Sequence, residues 1–356
     1  MTEPAAPAPT DLDADLLGGP PGPGSLALVT GATGYIGGLL VPRLLDAGYR
    51  VRVLTRSAAR LTEDWADRVE VVEGDAQDAD DVGRAMEGVA VAYYLLHSMD
   101  GEGDFRERDR RMARTFASAA LTAGVSRLVY LSGLHPDGEL SSHLASRVEV
   151  GEILLDSGVP TAVLQAAVVI GEGSVSFQML RYLTGRLPAM VAPKWLHNRI
   201  QPIAIDDVLH YLVGAASLPA DVDRTFDIGG PDVLTYEEMM QAFAQVNGMR
   251  RRFIVTLPVL TPWLAGHWVG LVTPVSAGVG KPLVGSLVHE VVCKEDDILE
   301  LVGEPEGGRT PYREAVRLAM ADASPDPVRE IGPKVAAGVG AGMGLLALGK
   351  VLARRR

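Results

Sequence analysis

Cysteine is nearly missing from this chain. Cys293 stands alone, so neither a disulfide framework nor a thiolate metal site can be built. We read it as a small buried apolar residue. Histidine is scarce too, at seven, and none fall at a metal-ligand spacing, so no metal is expected. Cations are outnumbered, with 33 Lys and Arg against 45 Asp and Glu and a net charge of −12. A nucleic-acid surface needs clustered cations, so no nucleic-acid partner is expected. The Arg106, Arg110, Arg114 stripe reads as an exposed helix face paired locally with Glu107 and Asp109. The acids Asp100, Glu102 and Asp104 read as solvated. No internal repeat is visible. Met1 to Gly24 lacks the basic start and apolar centre of a secretory signal. Its Pro, Ala and Gly content reads as a disordered leader, 1–24, before a cytoplasmic body.

Long uninterrupted apolar runs are also lacking. Phe253 to Cys293 is apolar, but Pro258, Pro262, Pro274 and Pro282 break it, which argues against one spanning helix. Short packed helices, a greasy pocket or a membrane-facing surface remain open for it. Residues 323–356 read as a linker and an apolar tail. Val335 to Gly349 is uncharged but short, and Lys350 and Arg354 to Arg356 follow. Gly338-x-x-x-Gly342 and Gly340-x-x-x-Gly344 suit close helix contact in a membrane. Terminal arginines prefer the cytoplasmic side, which for a true span would push the nucleotide domain outward. A peripheral or tail-anchored membrane contact, a true span and a plain tail helix all stand.

What is present is more telling. The chain has 356 residues, of which 47% are hydrophobic, ample for a core. Thr30-Gly31-Ala32-Thr33-Gly34-Tyr35-Ile36-Gly37 follows the apolar run Leu26 to Val29 and precedes a helical pattern. Strand, spaced glycines, then helix is the arrangement that binds a dinucleotide. Gly31 turns the chain off the strand, Gly34 lets a pyrophosphate approach the backbone, and Gly37 lets the helix pack close to the sheet. N–H groups at the helix start, with Thr33, Tyr35 and Ile36 around them, face the phosphates.

Strand candidates are 26–30, 50–55, 69–72, 89–96, 127–131 and 161–165. Helical patterns at 36–47, 80–86, 105–123 and 143–156 separate them. This alternation predicts an α/β fold, a doubly wound parallel sheet of the NAD(P)-binding Rossmann kind. Its dinucleotide domain spans 25–170, with 203–229 returning as a helix (205–216) and a strand (225–228). A smaller, mostly helical substrate lobe is expected from 171–202 and 230–322. It holds a helix near 174–183, a loop at 188–202 and a Thr235/Glu238 capping box.

Several side chains invite chemistry. An acid at the end of the second strand would hold an unphosphorylated ribose. Here stand Arg56, Ser57 and nearby Arg60, which suit a 2′-phosphate, so NADP(H) is expected over NAD(H). Asp75 either accepts from the adenine amino group or caps the following helix. His97 ends the fourth strand beside the nicotinamide position. It either serves the cofactor or the proton, or fixes its loop.

Thr30 to Gly37, Gly74-Asp75, Leu131-Ser132-Gly133 and Phe226 to Pro231 resemble the extended and atypical short-chain dehydrogenase/reductases. Leu95-Leu96-His97-Ser98-Met99 and Gln201 to Ala204 resemble a bacterial NAD(P)H-binding subgroup related to the NmrA-like family. The resemblance runs from about Ser25 to Asp322. It implies cofactor contacts at Ala76 and Leu96, and at Ala167 and Val168 beneath the nicotinamide. Trp195, His197, Asn198 and Arg199 would roof the pocket, and Arg199 could meet an anionic substrate. Catalytic members place a Ser after the fifth strand and a Tyr-x-x-x-Lys on the next helix. Ser132 holds the first place, but the helix offers His143 and Arg147 instead. Arg147 can bind ribose hydroxyls but cannot shuttle a proton. His143 could donate one near neutral pH, or be structural.

Two main readings follow. One is an NADP(H)-dependent oxidoreductase reducing a carbonyl or quinone-like, lipophilic small molecule. The other is a non-catalytic NAD(P)H-binding redox sensor. An accessory subunit docked on a membrane complex is a third, resting on the tail.

Overall fold

A computed structural model of the chain describes residues 20–97, 105–136, 138, 140–257, 273–274 and 288–321. The leader to residue 19, Ser98 with Met99 and the following acids, the apolar stretches 258–272 and 275–287, and the tail from 322 lie outside the described residues.

In chain order come β1 (Leu26–Thr30), α1 (Tyr35–Asp46), β2 (Arg50–Thr55), β3 (Glu70–Glu73), α2 (Ala79–Met86), β4 (Val91–Tyr94), α3 (Phe105–Ala123), β5 (Arg127–Gly133), α4 (Ser142–Leu155) and β6 (Thr161–Ala166). They are followed by β7 (Val169–Ile170), α5 (Val175–Arg186), β8 (Ala189–Pro193), β9 (Arg199–Ile200), β10 (Ile203–Ala204), α6 (Ile205–Ala215) and β11 (Arg224–Ile228). The last are β12 (Leu234–Thr235), α7 (Tyr236–Val246), β13 (Phe253–Leu257), α8 (Ile298–Val302) and α9 (Tyr312–Ala321).

Seven strands form one parallel sheet in the order β11-β6-β5-β4-β1-β2-β3. The doubly wound fold is therefore present. Strand periodicity explains its two cores. Val91, Tyr93, Val129 and Leu131 face one way and pack with α1 and α6. Ala92, Tyr94, Leu128 and Tyr130 face the other way and pack with α2, α3 and α4. Both faces are covered, so these strands read as continuous apolar runs.

Some boundaries shift for local reasons. β4 ends at Tyr94, short of the expected 96. Beyond it the Thr30 hydroxyl donates to Tyr93 O (2.9 Å) and accepts from the Leu95 N–H (3.3 Å). A side chain thus takes over from the ladder where β1 and β4 diverge. β5 runs on through Ser132 and Gly133, paired with Gln165 and Ala166. Ser141 and Ser174 cap α4 and α5, and the Thr235/Glu238 capping box is present.

The second lobe is less helical than expected. Three two-stranded pairs build it: β7 with β10 and β8 with β13 in parallel, β9 with β12 antiparallel. The expected 188–202 loop holds two of these strands. Phe177, Met239, Phe243 and Val316 centre its core, which also takes in Leu134 and Val168 from the ends of the sheet. Ile298 of α8 packs instead into the α1/α6 core. The two first-turn acids of α6 behave differently. Asp206 pairs with Arg43 of α1 at 2.6 Å. Asp207 is buried and accepts from the Thr310 N–H (2.8 Å) and hydroxyl (2.9 Å). Among the described residues no helix is long and apolar enough to cross a membrane.

Candidate functional site

The turn after β1 is shaped by backbone alone. Gly31 has φ +74°, a left-handed conformation that favours glycine. A Cβ there would sit 2.6 Å from Leu95 O. Gly34 is the N-cap of α1, its N–H donating to Gly31 O at 2.9 Å. A Cβ on Gly37 would collide with Gly31 O and Ala32 Cα. Gly37 is thus needed for the turn's own closure, a correction to its expected role against the sheet. No side chain caps α1, and no acid occupies its first turn. Amides there, with the helix dipole behind them, suit a diphosphate. Thr33 and Gly34 are exposed, while Tyr35 and Ile36 are half-buried. The Tyr35 ring lies where side chains at Gly171 and Gly173 would otherwise stand.

At the adenosine end, Arg56 is exposed just past β2 and makes no ion pair among the described residues. Ser57 precedes a short 3₁₀ turn, Ala58–Arg60. The Glu73 carboxylate accepts the Ala58 N–H at 2.5 Å and so holds that turn against β3. Asp75 is not the helix cap. Asp78 caps α2, accepting from Asp80 and Asp81. Asp75 Oδ1 accepts the Gln77 N–H (3.0 Å), while its own N–H donates to Asp81 (2.8 Å). A side chain at Gly74 would strike Asp81. Ala76 and Leu96 are half-buried against the α2/α3 core.

At the nicotinamide end, β5 carries Ser132, 3% exposed, with its hydroxyl donating weakly to Arg147 O at 3.5 Å. Tyr130, two residues back on the same face, donates to the same carbonyl at 3.3 Å. The Arg147 guanidinium donates through Nη2 to Leu131 O. It lies 5.8 Å from the Tyr130 ring centre. Its Nε is buried and has no hydrogen-bond partner among the described residues. His143 stands one turn earlier on α4, its ring centre 6.4 Å from that of exposed His97. Burial first, then Arg147 and His97, pushes the His143 pKa down to about 4. His143 is therefore neutral at pH 7, which corrects its expected service as an imidazolium acid. Val168 is buried in the lobe core, and its carbonyl accepts the Ile203 N–H at 3.0 Å. Ala167 is half-buried beside it.

The proposed roof is largely tied to the protein itself. Trp195 packs edge-on to Tyr236. His197 reaches Thr256 (3.2 Å) and Glu237 (3.5 Å), and Asn198 donates to Val288 O (2.6 Å). Arg199 forms a two-point pair with Glu290, at 3.2 and 3.0 Å, so it is not a waiting anion receptor. Arg110 pairs locally with Glu107 as expected and also reaches across to Glu149 of α4. Asp109 differs: it is buried, accepting from the Ser146 hydroxyl at 3.1 Å.

Sequence reasoning missed Thr30, Glu73 and Tyr130. Thr30 and Glu73 end β1 and β3, where ligands of such sheets bind, and that position was the available signal; Tyr130 lies mid-strand in β5, with no such signal.

Residues 31–169 match a family model described as NAD(P)H-binding. A (4-alkanoyl-5-oxo-2,5-dihydrofuran-3-yl)methyl phosphate reductase of Streptomyces griseus is 33% identical over 64% of this chain and 76% of its own length. A ceramide reductase of Caulobacter vibrioides is 30% identical over 71% of this chain and 81% of its own. The crystal structure of Citrobacter sp. triphenylmethane reductase complexed with NADP(H) superposes with a TM-score of 0.64 at 18% identity, over 83% of this chain and 99% of that one. With a nicotinamide cofactor to bind and reductases for relatives, the chain belongs to the NAD(P)H-binding family of atypical short-chain dehydrogenase/reductase type.

Proposed function

We propose that the protein is an NADP(H)-dependent reductase of a carbonyl or quinone-like, lipophilic small molecule. One observation carries the coenzyme choice: Arg56 lies exposed just past β2, with no ion pair among the described residues, where an NAD-binding sheet would offer an acid. A guanidinium there grips a 2′-phosphate through charge-assisted bonds. The residues fit a dinucleotide, because Gly31 and Gly37 let the turn close tightly on itself and no side chain caps the α1 amides behind it. The lipophilic substrate is supported by the ceramide reductase likeness and by the apolar lobe core reaching Leu134 at the end of β5.

When bound, the nicotinamide supplies the hydride. Ser132 then offers its hydroxyl to the substrate oxygen, giving up a bond of 3.5 Å that costs little to break. His143, kept neutral by burial, donates an N–H to the same oxygen, as a neutral imidazole can. The orphan Arg147 Nε–H meets a ribose hydroxyl, and its fixed charge favours developing negative charge.

The test is NADPH and NADH fluorescence titration, then NADPH consumption with long-chain aldehydes and quinones for the native chain and Ser132→Ala. We expect tighter NADPH binding, and turnover cut about tenfold to a hundredfold in the variant with coenzyme affinity kept. The absent Tyr-x-x-x-Lys and the neutral His143 favour a second reading, a non-catalytic NAD(P)H sensor. Tight binding with no turnover on any acceptor selects it. A membrane contact through the tail requires that deletion of 331–356 move the protein out of a membrane fraction.

A further inference from the structure

A cavity of about 270 Å³ lies beyond the far edge of the coenzyme groove. It is framed by the C-terminal end of β11, by Tyr211 of α6, by Gln201, by residues 293–299 and by Arg309. No residue of the glycine turn, of the β2–β3 end or of the Ser132–His143–Arg147 corner lines it. Its volume is many times the ~30 Å³ share of one liquid water and near the ~300 Å³ lower end of small-ligand sites.

Most polar groups around it are already satisfied. Gln201 accepts the Cys293 N–H (3.0 Å) and donates to Gly230 O (2.8 Å). Asp227 accepts the Lys294 N–H at 2.8 Å. Glu295 accepts from the N–H groups of Asp227 and Asp297, both at 2.6 Å. Two buried donors lack a hydrogen-bond acceptor among the described residues. Tyr211 is 1% exposed, and its hydroxyl has no such partner there. Arg309 Nε forms an ion pair with Glu304 Oε1 at 3.6 Å, too long for a hydrogen bond, and has no other acceptor among the described residues. Burial pushes Tyr211 up to about 12, and the Arg309 charge is the main influence opposing that rise. Both residues line the cavity. Leaving such donors dry and without a hydrogen-bond acceptor is costly, and a native protein that does so calls for an explanation.

We propose that this cavity is a second ligand site, taking a small hydroxy- or amino-monocarboxylate whose carboxylate accepts from Tyr211 Oη–H and the Arg309 guanidinium. The Asp227 carboxylate and the exposed Asp296 carboxylate line the same cavity. They oppose a second negative charge and accept from a hydroxyl or ammonium group. Phosphate and dicarboxylates fit this charge pattern poorly. The thiol of Cys293 stays protonated, its pKa pushed up to about 12 chiefly by burial. It takes part as a small wall and not as a nucleophile.

The experiment is thermal unfolding and calorimetry of the full chain saturated with NADPH. The probes are millimolar L-lactate, glycine and L-threonine, with methyl lactate and inorganic phosphate as controls. At least one free acid should raise the unfolding temperature while methyl lactate does not. Tyr211→Phe and Arg309→Gln should each weaken that acid about tenfold or more, with NADPH affinity unchanged. Without ligand, Tyr211→Phe should unfold no earlier than the native chain, because it removes an orphan hydroxyl. That guards against a trivial folding defect. No response to any of the three acids, a response that survives both substitutions, or an equal response to phosphate overturns the proposal.

Discussion

The phosphate end of the groove consists of Gly31, Gly34 and Gly37 and offers main chain with no side chains in the way. The nicotinamide end consists of Ser132, His143 and Arg147, whose side chains are buried or bonded to the protein's own backbone. The first end is specified by what residues must not be there, the second by what particular side chains are doing. Exclusion by shape tolerates no substitution. Recruitment of side chains is open to exchange: His143 and Arg147 stand where the resemblance places Tyr and Lys. The coenzyme is thus a fixed property of the fold, and the chemistry an adjustable one.

The comparison can be broken first at its rigid end. Gly37→Ala places a methyl group against Gly31 O. NADPH affinity should fall by about 3 kcal/mol or more, a hundredfold or greater, in a fluorescence titration. A variant that binds normally would show that the turn is not shape-limited.

At the other end, pH is the lever. His143 has a pKa near 4 in the fold against 6.5 when unperturbed. The unfolded chain therefore takes up this proton first as pH falls. Stability from the neutral ring is complete above pH 6.5 and is lost progressively down to pH 4. The loss should reach about 3 kcal/mol in denaturant titrations. His143→Gln should remove that part of the acid sensitivity, and an unchanged profile would refute the burial argument.

Smaller effects sharpen the contrast. Arg56→Ala should cost about 2 kcal/mol of NADPH binding and leave NADH unchanged. Parallel losses for both coenzymes would remove the 2′-phosphate role. Asp75→Ala should weaken either coenzyme by no more than about 1 kcal/mol, since it loses one exposed hydrogen bond. A larger loss would restore Asp75 as a main adenine contact.

What could be read in the chain follows the same division. Alternating apolar strands and amphipathic helices, together with the 31–37 spacing, disclosed the parallel sheet and its phosphate turn, because both arise from local pattern. The lobe's short strands escaped notice, since two-residue pairs such as β9 with β12 carry no periodicity. They are held by distant partners: Arg199 by Glu290, Asn198 by Val288 O. The protonation of His143 was equally hidden. A reference pKa belongs to an isolated side chain, whereas Arg147 and burial belong to the assembled helix. Asp109 looked solvated because its burial depends on Ser146, on another helix.

Tyr35 stands on the first turn of α1 and occupies the space above Gly171 and Gly173. The lobe's leading segment can settle there only once that turn has formed. Whatever braces the start of α1 also braces this seam between the two halves. Coenzyme binding should accordingly slow proteolytic nicking near residue 172, some distance along the chain from the glycines of the 31–37 turn.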